Sequence, residues 1–167
     1  GNFGNVFSDY AAQRMGLPVE KFIGGSNAND ILTRFFETGH MSTSEVVPTL
    51  SPSMDIQISS NFERLLFEYY KHDGSAVAKV MERFRRKGVV SFGKGRWQAI
   101  CRLFEGYRIG DDAIKNAIGE VYHETGELVD PHTVIGIMAG RQALAGKTDP
   151  VISLATANPA KFPDAVE

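Results

Sequence analysis

A chain of 167 residues that is 43% hydrophobic and 23% charged has the composition of a globular domain, long enough to bury a core and too apolar to remain disordered. Its formal charge of -2 gives no basic field, which argues against a nucleic-acid partner, and no apolar run is long enough to cross a bilayer. Cys101 is the single cysteine, so no internal disulfide can form, and a reducing cytoplasm is the expected setting.

The chain opens on Gly1-Asn2-Phe3-Gly4-Asn5, which reads as a tight turn with Gly1 and Gly4 free to take positive φ. No Met or signal-peptide pattern precedes it, so the opening reads as the middle of a motif, as in a fragment. A helix is predicted from Val6, with Phe7, Tyr10 and Ala11 on its apolar stripe and a stop at Gly16 before Pro18. A short extended piece around Phe22-Ile23 comes next. Residues 26–30 then offer N-cap chemistry for a helix through Phe36, closed by Gly39. Strand, loop and helix in that order form the unit of an α/β sheet.

Residues 40–53 read as loop with a short extended piece, and residues 55–58 are apolar at alternate positions. Ser60 and Glu63 have capping-box spacing, so a helix should start there and bury Phe62, Leu65, Leu66 and Tyr69. Ser75 is expected to cap the next helix, with Val77, Val80, Met81 and Phe84 inward and Gly88 at its end. Three more helices are predicted over 97–107, 112–124 and 131 to about 145, making 59–147 a mostly helical region. Asp111 and Asp130 are the expected N-caps of the last two, and Pro131 suits a first turn. Residues 151–155 are apolar on both faces, as a buried parallel strand would be, and Asn158-Pro159 starts a short terminal helix. Cys101 shares a helical face with Trp97, Ile100 and Phe104, so packing is expected of it rather than nucleophilic chemistry.

Three places have the residue types for ligand chemistry. A glycine-rich turn leading into a helix presents backbone N–H groups at the positive end of the helix dipole, where a phosphate can sit without a cation. Taken alone, the opening turn reads equally as an anion site or a plain surface turn. Ser59, Ser60 and Asn61, with Arg64 one turn later, could grip a phosphate or carboxylate, although a capping box with a solvated Arg64 is the simpler reading. Thr156 stands at the tip of the last predicted strand, where ligands of open α/β sheets gather, and its hydroxyl can bond a ring nitrogen or cap the next helix. The four histidines, His40, His72, His123 and His132, have no metal or catalytic spacing and are expected to be structural or solvated.

In wording and order these segments resemble the threonine synthase family. The resemblance lies in Gly1-Asn2-Phe3-Gly4-Asn5, in Ser51-Pro52-Ser53-Met54-Asp55-Ile56 followed by Ser59-Ser60-Asn61-Phe62-Glu63-Arg64, in Asp130-Pro131-His132-Thr133, and in Ala155-Thr156-Ala157-Asn158-Pro159-Ala160-Lys161-Phe162. It runs from Gly1 to Val166 as one unit, the C-terminal part of that family's catalytic domain. It implies a partial three-layer α/β/α fold of the fold-type-II, tryptophan synthase β-like class, with additional helices. It also implies pyridoxal 5'-phosphate as cofactor and conversion of O-phosphohomoserine and water to threonine and phosphate.

On this resemblance Gly1, Asn2, Phe3, Gly4 and Asn5 hold the cofactor phosphate, and Thr156 faces the pyridine nitrogen, which a neutral hydroxyl leaves largely unprotonated. Ser59, Asn61 and Arg64 are the candidates for the substrate phosphate. The family's catalytic lysine lies in a Ser-Phe-Lys-Asp-like segment that this sequence does not contain, so the chain by itself is expected to be inactive and to need the preceding part of the same protein. Asn158 stands where many relatives carry histidine. A strand and its neighbours would be missing, so self-association through an exposed sheet edge is also expected. A phospholyase of the same family and a non-catalytic phosphate-binding or assembly module are the alternatives.

Overall fold

The computed structural model describes residues 2–166. After the opening bend comes helix α1 (Gly4–Arg14). Strand β1 (Phe22–Ser26) and helix α2 (Ile31–Thr38) then follow, and Gly39 closes α2 in the left-handed conformation (φ 76°). Strand β2 (His40–Ser42) enters a long segment whose only regular piece among the described residues is a 3₁₀ turn at Pro52–Met54. Helices α3 (Phe62–Tyr69) and α4 (Gly74–Lys87), strand β3 (Val89–Ser91), helix α5 (Lys94–Cys101) and strand β4 (Phe104–Arg108) come next. Helices α6 (Asp111–Thr125) and α7 (Pro131–Ala143) precede a 3₁₀ turn at Pro159–Lys161 and the short α8 (Pro163–Val166).

β1 and β4 pair in parallel, from Phe22 opposite Phe104 to Ser26 opposite Arg108, and β2 pairs antiparallel with β3. Glycines let helices lie close on both faces of the parallel pair. A Cβ on Gly106 would stand 2.9 Å from Phe36 Cδ2 in α2, and one on Gly25 would stand 2.6 Å from Ile135 Cγ2 in α7. Helix, sheet and helix thus form three layers, the α/β/α order expected. Each face has its own core. On the α2 side Phe104 is a hub, with ring centroids of Phe22, Tyr10, Phe3 and Phe36 between 5.1 and 6.5 Å away, and Phe35, Phe62 and Phe84 are fully buried nearby. On the α7 side Ile109, Ile114, Ile118, Val121, Val134 and Ile135 close a smaller aliphatic cluster. Each such side chain contributes roughly 1.5–3 kcal/mol on burial.

Several local expectations need correction. The helix expected over 97–107 stops at Cys101, and Phe104–Arg108 is strand, held by Phe22 N–H to Leu103 O and Ile109 N–H to Ser26 O at 2.8 Å each. Trp97, Ile100, Cys101 and Phe104 fit a helical period, but pairing with β1 overrides it. The region 59–147 therefore includes strands β3 and β4 as well as helices. Residues 151–155 are neither buried nor paired as a strand; they run exposed beside α7, where Gly136 and Gly140 leave room for Ser153 and Val151. In 55–58 the alternation is inverted, since Gln57 is buried and Ile58 exposed.

The positive φ of the opening bend belongs to Phe3 (67°) and not to Gly4, while Gly1 lies outside the described residues. The capping box is not formed either: Glu63 bonds Arg85 at 2.8 Å, and Asn61 at the N-cap makes no side-chain cap. Asp73, not Ser75, caps α4 by accepting from Ala76 N–H. Asp111 falls inside α6, with Gly110 at the cap. Asp130 does cap α7.

Candidate functional site

Parallel pairing puts the C-terminal ends of β1 and β4 on the same side of the molecule. Just past β1, Asn27 is fully buried. Its Nδ2 lies within bonding distance of Thr49 Oγ1 (2.7 Å), Ser51 Oγ (2.9 Å) and Asp55 Oδ1 (2.8 Å). Asn29 donates to Val47 O (2.8 Å) and Asp55 Oδ1 (3.0 Å), and its own Oδ1 accepts from Val47 N–H (2.9 Å). Asp55 also accepts from the Thr49 N–H and hydroxyl, so amide and hydroxyl donors satisfy it without a cation.

The segment pinned in this way reaches the starts of three helices. Leu50 N–H donates to Asp111 Oδ2 at the start of α6 (3.3 Å), Ser53 N–H to His132 Nε2 at the start of α7 (3.2 Å), and Ser59 Oγ to Asn2 O just before α1 (2.8 Å). Helix starts carry positive partial charge and unpaired amides; Asp111 and Asp112 at α6 and Asp130 at α7 offset it there, whereas the first turn of α1 has no acidic residue.

The first cluster is at α1. Asn2 is exposed, and its Oδ1 accepts from Gly4 N–H (3.0 Å). Phe3 is buried edge-on against Phe62 with centroids 5.2 Å apart, anchoring the bend in the core. Gly4 is crowded: a Cβ there would stand 3.2 Å from Asn2 Oδ1 and 3.4 Å from Asn61 Nδ2. Asn5 is exposed at the start of the helix. Ser59 is buried, Asn61 lies beside Gly4, and Arg64 is exposed one turn on, with no ion pair among the described residues. The structure thus brings Asn2, Gly4, Ser59 and Asn61 together and leaves Arg64 free in solvent. A small residue flanked by amides at a helix start, without a carboxylate, has the chemistry of a phosphate seat.

The second cluster is at α7, and the sequence reading did not foresee it. Asp130 is fully buried and Oδ1 accepts from His132 N–H and His132 Nδ1, both at 2.9 Å. Oδ2 accepts from the Thr133 hydroxyl. Burial alone would push the Asp130 carboxyl up, but the hydrogen bonds from Thr133 and His132 outweigh it and hold the group below the usual aspartate value. Thr133 Oγ1 in turn accepts from Thr156 N–H (3.0 Å) and lies 3.3 Å from Thr156 Oγ1. Thr156 is exposed at the end of an extended segment that pairs with no strand among the described residues, and Thr133 stands between it and the buried Asp130 carboxylate. His132 is no solvated histidine: it is buried, with its ring 4.7 Å from that of Phe162. An aspartate followed at the second and third positions by histidine and threonine is the signal that could have revealed this cluster. Cys101 is half-buried with Sγ against Phe36 O (3.3 Å), a packing position, and burial raises its thiol. Among the described residues no cluster has metal-ligand spacing, and no helix is long and apolar enough to cross a membrane.

Comparison with known proteins gives one answer. Residues 133–167 match the family described as threonine synthase, C-terminal. The whole chain is 45% identical over 167 residues to the threonine synthase of Pseudomonas aeruginosa, covering 36% of that protein. It is 37% identical over 183 residues to the threonine synthase of Saccharomyces cerevisiae, covering 99% of this chain and 36% of that one. The solved PLP-bound threonine synthase of Brucella melitensis superposes with a TM-score of 0.88 at 44% identity, over 99% of this chain and 35% of its own. The yeast threonine synthase structure superposes at 0.90 with 36% identity, over 99% and 36%. This chain therefore spans little more than a third of the length of the relatives it matches. In sequence and fold the chain is similar along its whole length to the C-terminal part of threonine synthases.

Proposed function

We propose that this chain is the part of a pyridoxal-phosphate-dependent threonine synthase that seats the cofactor's phosphate and its ring nitrogen. The reaction is conversion of O-phospho-L-homoserine and water to L-threonine and phosphate, in the cytoplasm. The observation that carries the reading is the strap over residues 43–61. It bonds the bend at α1 through Ser59 and, through Ser53 and His132, the cluster that holds Thr156, so both candidate contacts belong to one sheet end.

The residues fit such a group. Backbone N–H groups over residues 2–5 would form the phosphate seat, with Gly1, outside the described residues, as the remaining candidate; the Gly4 N–H, which here donates to the exposed Asn2 side chain, would turn to the phosphate instead, and no charged side chain is needed because α1 begins there. Thr156 meets the ring nitrogen with its hydroxyl. Bound there, pyridoxal phosphate would supply the electron sink that carbanion chemistry on an amino acid requires. Ser59 gives its hydroxyl hydrogen to Asn2 O, so it braces the bend, and it would take part in holding the substrate phosphate only from behind. Asn61 and the free guanidinium of Arg64 are the donors left for that phosphate.

None of the chain's lysines stands in the Ser-Phe-Lys-Asp-like setting of the family's catalytic lysine, so further sequence of the same protein must supply it and this chain alone turns over no substrate. The unpaired apolar segment 151–155 supports a need for partner strands, from that further sequence or from a second copy. The test is an assay of the full-length protein with O-phosphohomoserine. Threonine and phosphate in equal amounts are expected. Release of 2-oxobutyrate without threonine would make it a phospholyase, and no phosphate release at all would leave only a binding module.

A further inference from the structure

Phe3 has a backbone conformation that its side chain opposes. It lies in the left-handed region at φ 67° and ψ 7°, where the Cβ of an L-residue crowds the following carbonyl oxygen. Lys71 and His72, the other described non-glycine residues with positive φ, are exposed, whereas Phe3 is 5% exposed. Such a conformation persists only where the surroundings impose it. Two sets of contacts do so here. The Phe3 ring is held edge-on by Phe62 at 5.2 Å and tilted on Phe104 at 5.8 Å. The preceding carbonyl, Asn2 O, accepts from the hydroxyl of buried Ser59 at 2.8 Å.

The consequence lies in where the amides point. The carbonyl and N–H of a trans peptide face opposite ways, so Ser59, by holding Asn2 O, turns Phe3 N–H away from the strap. A left-handed residue followed by a right-handed helical one, as Phe3 is by Gly4, curls successive N–H groups into one concavity that can take an anionic oxygen. Phe3 is also the N-cap of α1, where Ser, Thr, Asp or Asn would ordinarily accept a first-turn amide with its side chain. A phenyl ring cannot. Gly4 N–H instead meets the side-chain oxygen of exposed Asn2 at 3.0 Å, a bond that an incoming anion can replace.

We infer that Phe3 is a positioning residue for the cofactor phosphate: its ring, held by Phe62 and Phe104, imposes the left-handed turn that aims the amides of residues 3–5 at one point, with Ser59 as the brace. This rests on the proposed phosphate seat. The ring faces the core and acts on the ligand only through the backbone, and the core offsets the strain.

The test uses the full-length protein with two ligands, pyridoxal phosphate and pyridoxal, which lacks the phosphate. The ratio of their affinities by absorbance titration reads the seat, while a general loosening of the fold affects both alike. Phe3→Leu keeps an apolar anchor and should leave the ratio near wild type. Phe3→Gly loses the anchor but takes positive φ freely, so bound phosphate can restore the bend and the ratio should fall moderately. Phe3→Ala loses the anchor and resists positive φ, so its ratio should lie at least about fivefold below that of Phe3→Gly. A merely structural role gives the opposite order, since glycine is ordinarily the more disruptive of the two. A Phe3→Leu ratio as low as that of Phe3→Ala, a Phe3→Gly ratio equal to wild type, or a Phe3→Ala ratio at or above that of Phe3→Gly would overturn the inference. Should Phe3→Ala not fold, Ser59→Ala releases Asn2 O with Phe3 in place; its ratio should fall too, and an unchanged ratio would count against the inference in the same way. Failure of the seat reading looks different, because Gly4→Asp in a folded protein would then leave the ratio at its wild-type value. A ratio that Gly4→Asp lowers but Phe3→Gly does not sinks the role of Phe3 alone.

Discussion

Asp130 is a fully buried carboxylate that three donors from two neighbouring residues keep ionised. Its folded pKa lies below the ordinary value, so it stabilises the fold fully above about pH 4, the unfolded aspartate range, and that contribution disappears as pH falls through the lower folded value. Asp130→Asn should therefore cost roughly 1–3 kcal/mol at neutral pH. The cost should begin to shrink below about pH 4, the unfolded aspartate range, and vanish only once the pH has fallen through the lower folded value, where the wild type is protonated as well. Urea midpoints followed downward from about pH 7 measure this, and a loss that stays constant through the whole acid range would show that shape rather than charge matters. The sequence made Asp130 legible as a helix cap, because an aspartate before proline at a first helical turn is a local pattern. It did not reveal the links to Thr133 and Thr156, because the second is a contact across 23 residues set by how the 151–156 segment lies on α7.

At the scale of elements, the units with local punctuation were legible. α2, α4 and α6 end at glycines with φ of 76°, 68° and 77°, the positions where the sequence has a glycine stop. β4 was not legible, because its strand character comes from pairing with β1, and the helical spacing of Trp97, Ile100 and Phe104 points the other way. Nor was the exposed state of 151–155, whose apolar composition fits a strand but which has no partner strand among the described residues. Two experiments belong here. Gly25→Ala would push a methyl to 2.6 Å from Ile135 Cγ2 and 3.0 Å from Ile135 O, and should destabilise by about 1–3 kcal/mol in urea, with Gly119→Ala, which meets nothing within 4 Å, as the harmless control. Hydrogen exchange at dilutions where this chain is monomeric should show the amides of 151–155 unprotected and those of β1 and β4 slow. Equal protection in the two places would mean that 151–155 has found a partner in solution.

The molecule as a whole is two cores on either face of a small parallel pair, with a polar strap tying helix starts together at one end. The α/β class could be read from segment order and from the family resemblance. The strap could not, because Asn27, Asn29 and Gln57 are polar residues that the chain buries, against the usual reading of polarity as exposure. Ile152 is 82% exposed and Val151 and Leu154 are 40% exposed, so an apolar edge lies open beside α7. The chain taken alone should associate in a concentration-dependent way by light scattering, and Ile152→Lys with Leu154→Lys should return it to monomer. A monodisperse monomer at all concentrations would remove the proposed need for partner strands.

If the bend before α1 seats the cofactor phosphate as proposed, Gly4→Asp in the full-length protein should block that seat. The position tolerates the substitution electrostatically as part of a fold, since a carboxylate in the first turn of a helix is favourable, but it sets a negative charge and a side chain where the phosphate would lie. Measured by cofactor absorbance titration, affinity for pyridoxal phosphate should fall at least about tenfold, or about 1.4 kcal/mol, while the cofactor-free protein still unfolds cooperatively once the Asn2 and Asn61 side chains have moved aside. Undiminished affinity in a folded Gly4→Asp protein would contradict the account.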